Sequence, residues 1–146
     1  MPSNLAELYD EDFFEWTRRS AELLRAGRFD QADITHIAEE IEDMGKRDWR
    51  ELNSRIQVLL IHLLKWRTQP DKRSRSWERT IAGQRVKLEQ VLDDSPSLRL
   101  RIANGLRAAY AKAVHLAAIE TGRALDQFPA DCPFTVEQIL DPEFLP

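Results

Sequence analysis

Five polar residues interrupt stretches of this chain that are otherwise apolar: Arg55, His62, Gln84, Arg85 and Glu120. A guanidinium, an imidazole, a carboxamide and a carboxylate held away from water are groups that bind anions or move protons. Each needs a partner, because a buried polar group without one costs about 1–3 kcal/mol. At about 100° per residue, Glu51, Arg55, Val58, His62 and Gln69 share one stripe of a helix. That stripe is either a structural network, with Glu51 pairing Arg55 at i,i+4, or a binding site in a bundle core. Gln84 lies between Ile81 and Leu88 on the inward face of another helix, with Arg85 at its edge. Glu120 falls in a last helical turn on an apolar face, where the helix dipole disfavours a carboxylate. The expectation is a cation beside it, Arg85 or Arg55, with His62 bordering the same cluster.

Other reactive residues are less organised. Glu39, Glu40, Glu42 and Asp43 form an acidic cluster, with His36 four residues before Glu40. Helical-bundle metal sites use inward Glu and Glu-x-x-His pairs, and no Glu-x-x-His, His-Glu-x-x-His or His-x-x-x-His occurs. The pattern therefore assigns no metal and no cofactor, and reads as a solvated acidic face. Lys65, Arg67, Lys72, Arg73, Arg75 and Arg79 crowd one turn near Trp66 and Trp77. Such a mixture can stack bases, but cation–π contacts covering a bundle end are commoner. Cys132 has no basic or histidine neighbour in sequence, so it reads as a small hydrophobe.

The elements that must position these residues are helical throughout. Ile56 to Trp66 is apolar on nearly every side, so the rest of the chain should wrap it. Leu59, Leu60 and Leu63 should be almost fully buried. Residues 1–9 read as a lead-in. Asp10 is the expected cap of the first helix, with Tyr9 and Phe14 as a hydrophobic staple and Gly27 as its end. Asp33 should cap the second, which carries apolar residues from Ile34 to Leu63 and stops at Gln69-Pro70. Unbroken, that helix would be about 50 Å long at about 1.5 Å per residue, so a bend or break is expected near Gly45. A third helix spans about 73–93. Ser95-Pro96 opens a fourth that ends at Gly122, with Gly105, Ala109 and Ala113 placed for close approach. Thr135 and Gln138 have capping-box spacing for one short helix in a tail rich in apolar residues. The predicted fold is all-α: an antiparallel four-helix bundle with a bent second helix and a short C-terminal capping helix, in a single domain over residues 1–146.

Length and composition agree. The chain has 146 residues, 42% hydrophobic and 32% charged, with five glycines, which suits a globular bundle with short turns. The net charge of −4 is uneven. Residues 1–54 carry 14 acidic and 7 basic side chains, residues 55–112 carry 5 and 13, and residues 113–146 carry 6 and 1. Acidic ends folding on a basic middle is the simplest account, and a net acidic chain disfavours nucleic-acid binding. One cysteine permits no intrachain disulfide. No signal peptide or membrane span is expected, so the expected location is the cytoplasm.

The ordered run LYDEDFFEW, LLRAGRFDQAD, AEEIEDMG, HLLKW, RSRSWERTI, SPSL, ETG, FPADCP and FLP resembles the bacterial domain-of-unknown-function family 29. It covers almost the whole chain. The resemblance implies a compact helical domain and brings no activity or catalytic residues with it. For function, three classes follow. The first is a non-catalytic interaction module with a protein partner or a homo-oligomer, since nothing meets the spacing demands of known catalytic chemistry. The second is a metal- or anion-binding protein, an enzyme among the options, built on the polar core residues. The third is nucleic-acid binding through the basic turn.

Overall fold

A computed structural model describes residues 4–146. Six α-helices occur among them: α1 Leu5–Glu11, α2 Phe13–Arg25, α3 Ile34–Thr68, α4 Arg75–Asp94, α5 Leu98–Thr121 and α6 Val136–Leu140. Short 3-10 turns lie at Phe29–Gln31, Pro70–Lys72 and Leu125–Gln127, and the described residues hold no strand. The protein is all-α, with a helical-bundle architecture. No helix among the described residues is long and apolar enough to cross a membrane. The chain forms two compact units that divide at residues 47/48.

In the first unit, helix begins earlier than the sequence suggests. Leu5–Glu11 is already α1, capped by Asn4, whose side chain accepts from the Glu7 amide at 2.9 Å. The remainder of the expected lead-in, residues 1–3, lies outside the described residues. Asp12, not Asp10, divides the helices. Its amide closes α1 on the Leu8 carbonyl at 2.8 Å, and its carboxylate accepts from the Glu15 amide at 3.1 Å. Both aspartates can cap, but Leu5, Ala6, Glu7 and Leu8 favour helix and carry it past Asp10. The staple is also absent: Phe14 is 76% exposed, and Tyr9 packs on Phe13 and Trp16. Gly27 does end α2's turn, at φ 70°, where glycine carries no Cβ penalty.

α3 is one continuous helix over Ile34–Thr68, so of the bend or break expected near Gly45 the break does not occur. A helical glycine costs only about 1 kcal/mol relative to alanine, and neighbouring Glu42, Met44, Lys46 and Arg47 are good helix formers. The division between the units nevertheless falls within a turn of Gly45.

The second unit is built on residues 48–68 of α3. Leu52, Leu59, Leu60, Leu63 and Leu64 are inaccessible to solvent, as the near-continuous apolar pattern requires. Arg55 meets Gln84 and Lys65 lies over Trp77, so α4 runs back antiparallel to α3. Trp49 meets Gly105 and Lys65 meets Glu120, so α5 runs parallel to α3. Gly105 permits this approach: a Cβ there would lie 3.4 Å from the Trp49 ring. Ala109, Ala113 and Ala117 continue the same small-residue seam and are buried. Ser74 caps α4 through the Trp77 amide at 3.3 Å. α5 starts at Leu98, slightly after the Ser95-Pro96 signal, and ends at Gly122 with φ 69°. The tail folds onto this core through Phe128, Phe134 and Ile139, all buried. Thr135 and Gln138 form the expected capping box of α6.

Candidate functional site

The five polar residues singled out by the sequence do not converge. Arg55 and Gln84 do meet, at 3.3 Å, across the α3–α4 seam. The other nitrogens of Arg55 donate to Glu51 at 3.1 and 2.9 Å, the expected i,i+4 pair. His62 turns back on its own helix, with Nδ1 2.8 Å from the Val58 carbonyl. A carbonyl only accepts, so Nδ1 carries the proton. Arg85 is 5% exposed and lies under the tail. Its Nε donates to the Ile139 carbonyl at 2.9 Å and its Nη2 to the Gln138 carbonyl at 3.2 Å. These are carbonyls at the C-terminal end of α6, where the helix dipole favours a cation. Burial pulls the guanidinium below its usual range, with Asp141 opposing that shift.

The cation at Glu120 is Lys65, at 3.2 Å, and not Arg85 or Arg55. Glu120 is 48% exposed, so solvent weakens the desolvation argument that called for an arginine. Lys65 also lies 4.9 Å from the Trp77 ring centroid. Arg73 donates to the Trp66 carbonyl at 2.9 Å and stacks over the Trp66 ring, capping the last turn of α3. Part of the basic turn is therefore committed to the bundle end.

A more connected polar centre occupies the first unit. Asp33 opens α3, accepting from the His36 amide at 3.4 Å. Its carboxylate also meets His36 Nδ1 at 2.5 Å and Trp16 Nε1 at 3.1 Å. The imidazole stacks on Tyr9, with centroids 3.9 Å apart and planes 9° from parallel. The Tyr9 hydroxyl donates to Glu40, which pushes its pKa up to about 12. Asp33 raises the pKa of His36 by its hydrogen bond, against the opposing effect of burial. Burial works against ionisation of Asp33, but bonds from His36 and Trp16 outweigh it and hold its pKa down. Sequence reading took Asp33 as a cap and His36 as a companion of the acidic cluster. Asp-x-x-His is a relative of the capping box, with imidazole replacing the usual N3 carboxylate, and that spacing is the signal that joins them.

A carboxylate–imidazole pair can activate a nucleophile, but no hydroxyl or thiol is hydrogen-bonded to His36 among the described residues. Glu40 is occupied by Tyr9. No group of three or more His, Cys, Asp or Glu side chains able to hold a metal occurs among the described residues. The centre fastens α1 and α2 to the start of α3.

This fastening leaves one face of α3 uncovered. Ile34, Ile37, Ile41 and Met44 follow a 3-4-3 spacing and so form one narrow stripe. Ile34, Ile41 and Met44 are 52%, 63% and 61% exposed, and Ile37 is half-buried. Isolated exposed leucines and isoleucines are ordinary, whereas a contiguous helical row of them is not. In the second unit, α5 and the tail enclose a groove of about 930 Å³ whose lining includes Leu106, Arg107, Val114, Phe128, Pro129 and Cys132. Tyr110 also lines it, and its hydroxyl donates to the Pro129 carbonyl at 2.6 Å. Burial pushes the Cys132 thiol up, away from thiolate chemistry.

Fold and surface together define an all-helical protein with an exposed apolar helix face and no assembled catalytic constellation among its described residues. The chain belongs to the family described as domain of unknown function DUF29, whose model matches residues 8–145. No curated protein and no solved structure matched the chain.

Proposed function

We propose that this protein is a non-catalytic interaction module whose docking surface is the Ile34–Ile37–Ile41–Met44 stripe of α3. The observation that carries this reading is the exposure of that row on a helix whose other side is fixed by the Asp33–His36–Tyr9–Glu40 bonds. Seam residues spaced 3-4-3 are those a second helix covers by knobs-into-holes packing. A helix-in-groove partner reads such a surface through anchors at i, i+3 and i+7. The polar centre beside the row contributes rigidity, because a docking face already fixed costs less to order on binding.

A photo-reactive residue placed at position 41, in cells, tests this reading. A discrete protein adduct is expected, and Ile34→Gln in the same chain should abolish it. Absence of any adduct at 41, or an adduct indifferent to Ile34→Gln, would overturn the proposal.

A further inference from the structure

Arg85 keeps one nitrogen that the tail does not use. Beside it the C-terminal half of α4, the first turn of α5 and the end of α6 border a cavity of about 320 Å³, within the size range of small-molecule sites. Arg85 lines that cavity while its Nε and Nη2 are taken up by the Ile139 and Gln138 carbonyls. Nη1 has no acceptor among the described residues, yet it is not sealed from the surface. Asp141 supports the charge without forming an ion pair, its carboxylate accepting from the Glu143 amide at 2.9 Å. The guanidinium belongs to a side chain only 5% exposed, and its bonds go to neutral carbonyls alone. A cation held out of water in this way is short of a counter-charge.

We propose that this cavity, a site separate from the α3 stripe, binds a free amino acid with an aliphatic side chain, its carboxylate on Arg85. The other charges around the cavity select that ligand. Glu89 and Asp93 follow Arg85 at i+4 and i+8, so they share its face of α4, and both line the cavity. Arg99, in the first turn of α5, lines it too. All three are exposed and form no ion pair among the described residues. Two guanidinium groups and two carboxylates leave the cavity with no net charge. A phosphate dianion drawn to the arginines would be repelled by Glu89 and Asp93. A simple carboxylate would satisfy Arg85 and leave those two unanswered. An amino acid carries an ammonium group on the carbon next to its carboxylate, and so answers both signs at once. Leu92 and Leu140 line the same cavity and are half-buried, which gives the ligand's side chain an apolar wall.

Calorimetry, with NMR of the isotope-labelled full chain at the Arg85 Nε–H signal, tests this with leucine, leucinamide, isocaproate and inorganic phosphate. Leucine should bind saturably, shifting that signal and the amides of α6. Leucinamide lacks the carboxylate and should shift neither. Isocaproate lacks the ammonium group and should bind about tenfold more weakly, and phosphate more weakly still. R99Q should weaken leucine binding about tenfold. E89Q/D93N should weaken leucine binding but tighten isocaproate binding, a reversal that damage to the fold would not produce. Both variants change exposed positions, and circular dichroism equal to that of the parent would show that they fold. No saturable shift with leucine, or leucinamide binding as well as leucine, overturns the proposal. Isocaproate matching leucine, or phosphate exceeding it, also overturns it and assigns the cavity to a simple anion. Leucine binding indifferent to both variants places the ligand elsewhere and overturns it as well.

Discussion

Removing the guanidinium of Arg85 isolates a buried charge that holds the tail to the bundle. Arg85→Met keeps much of the side-chain volume and leaves the Ile139 and Gln138 carbonyls without their donors. A hydrogen bond from a charged group contributes about 1.5–3 kcal/mol, and two would give about 3–6 kcal/mol. Against that stands the cost of burying the cation, which methionine does not incur. Arg85 is 5% exposed, so that offset is substantial. The expected net loss is about 2–4 kcal/mol. Arg85→Lys retains charge but lacks the planar fork that reaches two carbonyls, and should fall between methionine and the parent. Urea unfolding gives the global loss, and hydrogen exchange locates it. The amides of Ile139 and Asp141, bonded to Thr135 and Gln138, should exchange faster in both variants. If Arg85→Met unfolds within about 0.5 kcal/mol of the parent and α6 amides keep their protection, the clamp is not what seats the tail.

Other expectations follow from the same structure. Leu59→Ala, Leu60→Ala and Leu63→Ala should each cost about 2–5 kcal/mol in urea unfolding, because all three are fully buried. Near-parental midpoints for all three would refute the central-helix assignment. Ala113→Leu should cost about 1–3 kcal/mol, because it adds volume at a fully buried position of the helix seam, read from the thermal midpoint. His36, raised above its ordinary 6.5, contributes stability that is fully present below that value and is lost as pH rises through the folded pKa. Asp33, lowered below its ordinary 3.8, contributes stability present above that value and lost as pH falls through its folded pKa. Stability of the first unit should therefore decline on both the alkaline and the acid side of this window. Trp16 fluorescence, whose ring lies 6.4 Å from His36, should follow the alkaline limb, and His36→Gln should erase it.

Much of the fold was legible because the signals were local. Gly27 and Gly122 end helices as left-handed caps, Asp33 opens α3, and Thr135 with Gln138 forms a capping box, each within four residues of sequence. The buried leucines of α3 followed from a pattern apolar on nearly every side over about three turns. Boundaries failed where two residues competed for one role, as Asp10 and Asp12 did. The break allowed for at Gly45, as the alternative to a bend, overweighted length against a single small propensity cost. The candidate site was less legible, because pairing across helices depends on rotation and register that no local pattern encodes. Glu120 needed a cation, as its position implied, but Lys65 on the last turns of α3 supplies it rather than either arginine. Arg85 found its acceptors in a tail more than fifty residues away. The acidic cluster drew attention to its carboxylates, while the exposed apolar row on another face of the same turns looked like ordinary core spacing. Periodicity shows that a helix has an apolar face, not which neighbour covers it.

The central claim is that the α3 stripe is covered by another protein at work, and Met44 offers the most direct test. It is 61% exposed, so its thioether should oxidise readily in the purified chain under brief hydroxyl-radical footprinting. Footprinting inside cells, at matched dose and with peptide mass spectrometry, should show Met44 protected several-fold relative to purified protein. Ile34→Gln should restore its oxidation there. Equal oxidation of Met44 in the cell and in isolation would contradict the account.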